Sequence, residues 1–285
     1  MNVADAMTPR AELVTVSLPG TRDDALEYLQ EHRFSSVPVV KESDAGETYR
    51  GLVSRDDLIE RPDEDQLALL MRDVPTVTPT TNLRDAAQLM VGSRIRRLPV
   101  VEENDGDALA GIVTVTDVVH AIAHGDAETE ASCGDAAGDD VNTVYSGAPL
   151  PVAERELYFA NVPYAIALDD EGEMDGMLTE VDILEVARVV EGADDTGDSI
   201  ADEDDDWKWE GIKAVGSAYI PTRNVEIPAG AVTEFMTADV LTVSQTRSVQ
   251  EAAQEMISND IEQLPLVTGG DLAGIVRDVH LLEAL

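Results

Sequence analysis

Leu98-Pro99-Val100-Val101, followed after a polar turn by Gly111-Ile112-Val113-Thr114-Val115-Thr116-Asp117-Val118, is the stretch whose reading decides the fold. An apolar run carrying Pro, then a Gly-led apolar run ending in a hydroxyl residue and an acid, suits two neighbouring strands that feed a helix. The same phrase stands three more times. The first copy is Ser36-Val37-Pro38-Val39-Val40 with Gly51-Leu52-Val53-Ser54-Arg55-Asp56-Asp57-Leu58. The third is Val162-Pro163-Tyr164-Ala165-Ile166 with Gly176-Met177-Leu178-Thr179-Glu180-Val181-Asp182-Ile183, and the fourth is Leu264-Pro265-Leu266-Val267 with Gly274-Ile275-Val276-Arg277-Asp278-Val279-His280-Leu281. Self-similarity of this kind marks a chain built from repeated supersecondary units.

Upstream of three phrases stands a Met and then a short β-branched run: Met7-Thr8 before Leu13-Val14-Thr15-Val16, Met71 before Val74-Pro75-Thr76-Val77, and Met236-Thr237 before Leu241-Thr242-Val243. Between run and phrase lies a helical pattern, with Leu83, Ala86, Ala87, Met90 and Val91 on one face in the second copy and Val249, Ala252, Ala253, Met256 and Ile257 in the fourth. These are core stripes. One unit is thus strand, helix, strand, strand, helix, an α+β fold. A unit of roughly 60 residues buries only about 60% of its surface, so the units are expected to close their cores in pairs.

Composition sets the expected boundaries. Residues 1–125 form a first module, with repeats at about 1–62 and 63–125, and an acidic linker follows at 126–140. A second module spans 141–285, with repeats at about 141–190 and 231–285 around an insert at 191–230. That insert carries the acid run Asp202 to Asp206 and then Trp207-Lys208-Trp209, which holds both Trp of the chain. The Trp pair is expected to pack on the second module or on a partner subunit.

Fifty-eight Asp and Glu against 19 Lys and Arg give a formal charge of -39 and a pI near 4.1. Such a surface repels polyanions, which argues against nucleic acid and anionic membrane surfaces as partners. It suits a salt-rich cytoplasm, where self-repulsion is screened, and points to a halophilic, haloarchaeal source. Cys133 is the lone cysteine, so no intrachain disulfide is available and a cytoplasmic location is expected. The sequence shows neither a signal segment nor an apolar run long enough to span a membrane.

The Met-Thr start, the Pro in the strand, and Gly followed by two apolar residues, Ser or Thr, two residues and Asp resemble the CBS (cystathionine beta-synthase) domain family. Four tandem copies would then pair into two Bateman modules. The resemblance implies a regulatory role without catalysis and without a required cofactor. It also implies clefts that bind an adenosine-containing small molecule such as AMP, ATP or S-adenosylmethionine. In the family the hydroxyl residue contacts phosphate or ribose and the Asp takes the ribose hydroxyls; carried over, these are Ser54 and Asp57, Thr114 and Asp117, and Thr179 and Asp182. Thr15, Val37, Thr76 and Pro99 complete the implied lining. The basic stretch Arg94, Arg96 and Arg97 resembles that through which CBS pairs in the gamma subunit of AMP-activated protein kinase hold phosphate. The ligand is expected in the first module.

Elementary chemistry offers alternatives to several of these roles. An Asp at a helix start is favoured as a cap whether or not it meets a ribose, although capping alone is not expected to demand a hydroxyl residue at fixed spacing in three copies. The three Arg either hold phosphate bidentately or pair with surface acids. In the fourth copy Arg277 and His280 replace the hydroxyl residue and the Asp, and Tyr158, Phe159 and Tyr164 surround the third copy's Pro strand. His120 and His124 stand one helical turn apart, a metal-compatible spacing that lacks a third ligand, at a helix end where the dipole favours His. An unidentified protein target is expected for a sensor, as either a homodimer or a two-module disc; the competing reading is a ligand-free scaffold for dimerisation or protein interaction. The charge balance yields a first prediction. Raising KCl from about 0.1 M to about 1 M shortens the Debye length from about 10 Å to about 3 Å, so Tm followed by circular dichroism should climb over that range. A flat dependence would show that acid repulsion does not limit stability.

Overall fold

Each Pro-bearing run is a strand, flanked on one side by the short run upstream of it and on the other by the Gly-led run. The computed structural model describes residues 1–31, 36–43, 46–61, 64–102, 107–138, 140–191, 209–210 and 223–285. The first repeat comprises β1 (Val16–Leu18), α1 (Arg22–Glu31), β2 (Ser36–Ser43), β3 (Gly46–Ser54) and α2 (Arg55–Glu60). The second has Val77 as its opening bridge, then α3 (Leu83–Ser93), β4 (Arg97–Val101), β5 (Leu109–Thr114) and α4 (Val115–His124). The third contains β6 (Thr143–Tyr145), α5 (Leu150–Ala160), β7 (Tyr164–Leu168), β8 (Met174–Thr179) and α6 (Glu180–Val186). The fourth contains β9 (Val243–Ser244), α7 (Val249–Asn259), β10 (Gln263–Thr268), β11 (Asp271–Arg277) and α8 (Asp278–Glu283). This is the expected α+β order.

Register explains how Pro is tolerated in a central strand. The opening strand runs parallel and pairs only after the Pro: Val16 with Val39, Val77 with Val100, and Val243 with Leu266. The amide that Pro38, Pro99 and Pro265 lack therefore faces no ladder on that side.

The Gly strand has a second neighbour, contributed by another repeat. Thr8 and Pro9 of the first repeat pair with Ile112 and Gly111 of the second, and Arg72 of the second pairs with Leu52 of the first. Likewise Gly138 pairs with Ile275 and Thr237 with Met177. The exchange is reciprocal, first with second and third with fourth. It also explains the leading glycine, since a Cβ on Gly111 would lie 2.4 Å from the Thr8 carbonyl oxygen and one on Gly51 2.8 Å from that of Arg72. Each crossing segment is anchored by a fully buried apolar side chain: Val3, Leu67, Cys133 and Val232. Residues 132–138, which composition assigns to the linker, hold the short helix Cys133–Ala136 and the crossing residue Gly138. The third repeat has a start after all, with Cys133 in the place of Val or Leu.

The chain divides into two compact units. The first contains Met1–Ala136, Thr246–Gln263 and Val276–Leu285; the second contains Ala137–Gln245 and Leu264–Ile275. The fourth repeat is thus divided, its helices in the first unit and most of its strands in the second. In the first unit α3, α4, α7 and α8 pack together, with Leu83, Ala86, Ala87, Met90, Val249, Ala252, Ala253 and Met256 buried as their periodicity predicts. Val91 and Ile257 are half-buried. The second unit buries Val144, Leu150, Leu157, Leu178 and Val232 in one cluster and Tyr164, Ile166, Met177 and Ile275 in another. It also holds a three-stranded sheet of Arg188–Glu191, Arg223–Glu226 and Trp209–Glu210. The acid run Asp202 to Asp206 and Trp207, and with it the packing expected of the Trp pair, lie outside the described residues. No described helix is long and apolar enough to cross a membrane.

Two glycines provide a test. Gly111→Ala should destabilise by about 2 kcal/mol, because a backbone oxygen must move. Gly92→Ala should stabilise by roughly 0.5–1 kcal/mol, because Gly92 is helical with open space where a Cβ would go. Urea unfolding of both variants measures the contrast, and equal values would deny the crossing its steric cost.

Candidate ligand sites at the strand to helix junctions

Ser54, Thr114 and Thr179 end β3, β5 and β8 and are the N-caps of α2, α4 and α6. In each, the hydroxyl oxygen accepts the backbone N–H of the Asp three residues on, at 3.2, 3.2 and 3.4 Å. Each Asp carboxylate in turn accepts the cap residue's N–H and O–H: 2.8 and 2.6 Å at Asp57, 2.8 and 2.8 Å at Asp117, and 2.8 and 2.7 Å at Asp182. This is a reciprocal capping box, which requires both the hydroxyl and the acid at that spacing. Capping alone therefore accounts for the spacing, contrary to the sequence expectation. In the fourth repeat the box persists in altered form, with the Arg277 N–H donating to His280 Nδ1 at 3.2 Å.

The three carboxylates differ in their surroundings. Asp57 is 2% exposed, and its second oxygen is held by Arg72 Nε, with Arg61 at 3.9 Å. Asp117 is half-buried at the start of α4, and burial pushes its carboxyl above the ordinary value against the opposing bonds from Thr114 and the charge of His120. Its second oxygen accepts no hydrogen bond among the described residues. Asp182 is also half-buried, at the start of α6.

The arginine cluster is not a single cationic spot. Arg94 is the exposed, left-handed C-cap of α3. Arg97 pairs in register with Thr114 and donates to Ser36 Oγ at 2.7 Å; burial, then the charge of Arg96, holds it below its usual range. Arg96 binds Asp278 at 2.5 Å and Glu262 at 3.2 Å. Burial opposes its charge, yet those two acids hold its pKa above the ordinary value. The geometry thus gathers Thr114, Asp117, Arg96 and Arg97 at one end of β4 and β5. Of the other candidates, Thr15 accepts from Arg10 Nη2 at 3.1 Å, Val37 and Pro99 are buried, and Thr76 lies on a separate cleft with Tyr49 and Asp73. Arg72 escaped the sequence reading; its signal is a cation placed where the first and fourth repeats have Thr8 and Thr237.

The remaining chemistry is quiet. His120 and His124 stack at 6.0 Å, with His124 Nδ1 2.8 Å from the His120 carbonyl oxygen. No group of metal-ligating side chains gathers among the described residues. Cys133 is buried, and burial pushes its thiol to about 11 despite Arg247 nearby, so it is a poor nucleophile. Tyr164 is buried in the third repeat, whereas Tyr158 and Phe159 are exposed.

The model of the CBS domain family matches residues 3–64, 67–124 and 232–285. The third unit, of the same element order, lies outside those matches. Over 281 residues the chain is 26% identical to uncharacterized protein MJ1404 of Methanocaldococcus jannaschii, which accounts for 99% of this chain but only 61% of that protein. Among solved structures, an uncharacterized conserved protein from Pyrococcus horikoshii matches with a TM-score of 0.70 at 26% identity over 99% of both chains. Protein MJ1225 from Methanocaldococcus jannaschii matches with a TM-score of 0.63 at 19% identity, again over 99% of both, a likeness of fold.

The Asp57 environment can be tested directly. Arg72→Met leaves a buried carboxylate without its main partner and should cost about 2–4 kcal/mol in urea unfolding. Asp57→Asn added to Arg72→Met should recover part of that loss. Additive losses would show that the two side chains do not act as a pair.

Proposed function

Because this chain belongs to the CBS domain family, we propose that it is a non-enzymatic regulatory protein whose first two repeats, residues 1–125, sense an adenosine-containing ligand beside Asp117. The ligand is AMP, ATP or S-adenosylmethionine, and the change is passed to a protein partner. One observation carries the reading: Asp117 keeps an oxygen without a partner among the described residues, in a half-buried place on the first turn of the helix that begins where Arg97 pairs with Thr114 and the Arg96 carbonyl accepts the Val115 N–H. A carboxylate so placed can accept the two hydroxyls of a ribose while the guanidinium groups face a phosphate. Asp57 lacks that freedom, because Arg72 already occupies it.

The same geometry supplies a route for the signal. A phosphate that draws Arg96 away competes with Asp278, which is buried at the first turn of α8. Binding shifts the equilibrium between the two arrangements only by the difference in affinity for them. A second reading is a ligand-free scaffold, favoured by the finding that all three hydroxyl and acid pairs are used in helix caps.

Calorimetric titration in high-KCl buffer with AMP, ATP and S-adenosylmethionine separates the two. Asp117→Asn keeps an oxygen for the cap and removes the charge. It should weaken the nucleotide that binds at least tenfold, about 1.4 kcal/mol. Unchanged affinity in the variant would remove Asp117 from the site, and no binding by any of the three would favour the scaffold.

A further inference from the structure

The leading glycines align the repeats and single out Tyr49. Two residues before Gly111, Gly176 and Gly274 stand Leu109, Met174 and Leu272; two before Gly51 stands Tyr49. Tyr49 is 6% exposed and packs with Val40, Val101, Leu109 and Leu13. Its hydroxyl has no hydrogen-bond partner among the described residues. An orphaned buried hydroxyl opposes folding, and an aliphatic side chain serves the same position three times elsewhere. Packing does not explain the phenol.

A break in the pairing symmetry explains the space beside it. On the Leu109 side, the chain between the crossing residue Thr8 and Val16 is long enough to form the turn Arg10–Glu12, which packs on β5, while Leu13 packs into the cluster that contains Leu109. The matching segment from Arg72 to Val77 is shorter and forms no such turn. A cleft of about 710 Å³ is left there, lined by Tyr49, Arg50, Asp73, Val74, Thr76 and Asp107 among others.

We propose that this cleft is a second ligand site, for a small zwitterion of the free amino-acid class. Tyr49 keeps its proton, since burial and then the charge of Asp73 push the phenol above its ordinary value, so it offers a donor to an acceptor on the ligand. Arg50 has no ion-pair partner among the described residues and provides charge for a carboxylate. Asp73 and Asp107 provide acceptors for an ammonium group. A phosphate alone would face both carboxylates, and a bare cation would leave the Tyr49 O–H unmet. One small molecule carrying carboxylate and ammonium together satisfies all four side chains. This assignment does not depend on the adenosine-type site.

The test uses full-length protein and individual free amino acids in calorimetric titration, with N-acetyl and methyl-ester derivatives of any that bind. Tyr49→Leu copies the second and fourth repeats, so it should fold with a Tm no lower than that of the parent and bind the same amino acid at least tenfold more weakly. Arg50→Ala, an exposed change, should also weaken binding, and blocking either end of the amino acid should do the same. The proposal is overturned if no free amino acid binds the parent protein, if Tyr49→Leu binds equally well, or if the blocked derivatives bind as tightly as the free molecule.

Discussion

Close approach between one repeat's crossing segment and another repeat's Gly strand is the constraint on which the rest of the structure depends. The Thr8 carbonyl comes so near Gly111 that no side chain fits between them, and Arg72 stands in the same relation to Gly51. Backbone pairing at these points gives the Gly strand of each repeat an additional partner from another repeat. It also carries Val3, Leu67, Cys133 and Val232 to fully buried positions. Units this small bury too little on their own, and exchange of starting segments is how the cores close.

The same constraint explains what could be read from the residues alone. Leading glycines, Pro strands and helical stripes are local patterns, so element order and most of the buried helix face were legible. The identity of the repeat receiving each crossing segment was not, because backbone pairing leaves no side-chain signature. Nor was the start of the third repeat, since Cys133 sits among Gly, Asp and Ala whose composition reads as linker. At the junctions the ambiguity was chemical. A capping box and a ribose contact call for the same hydroxyl and the same acid, so spacing could not separate them.

What separates the junctions is their neighbours. Asp57 and Asp117 have the same cap, yet Arg72 closes the first, whereas the second keeps an oxygen that no described residue engages. In a chain with 19 basic residues against 58 acidic ones, where each Arg is spent matters. Arg72 neutralises a buried carboxylate. Arg96 is held between Asp278 and Glu262 instead of presenting a bare charge.

Internal repetition makes the chain its own control. Where all four copies agree, as at the glycine, one geometric demand is sufficient cause. Where copies depart, the demand has changed locally: Arg72, where the first and fourth copies have Thr, marks a buried acid to be paired, and His280 in place of Asp marks a cap rebuilt around an imidazole nitrogen. Tyr49 differs from both, because no group among the described residues meets its hydroxyl. A departure that costs stability and has no internal partner points outward, and the open cleft beside it shows where such a partner would come from.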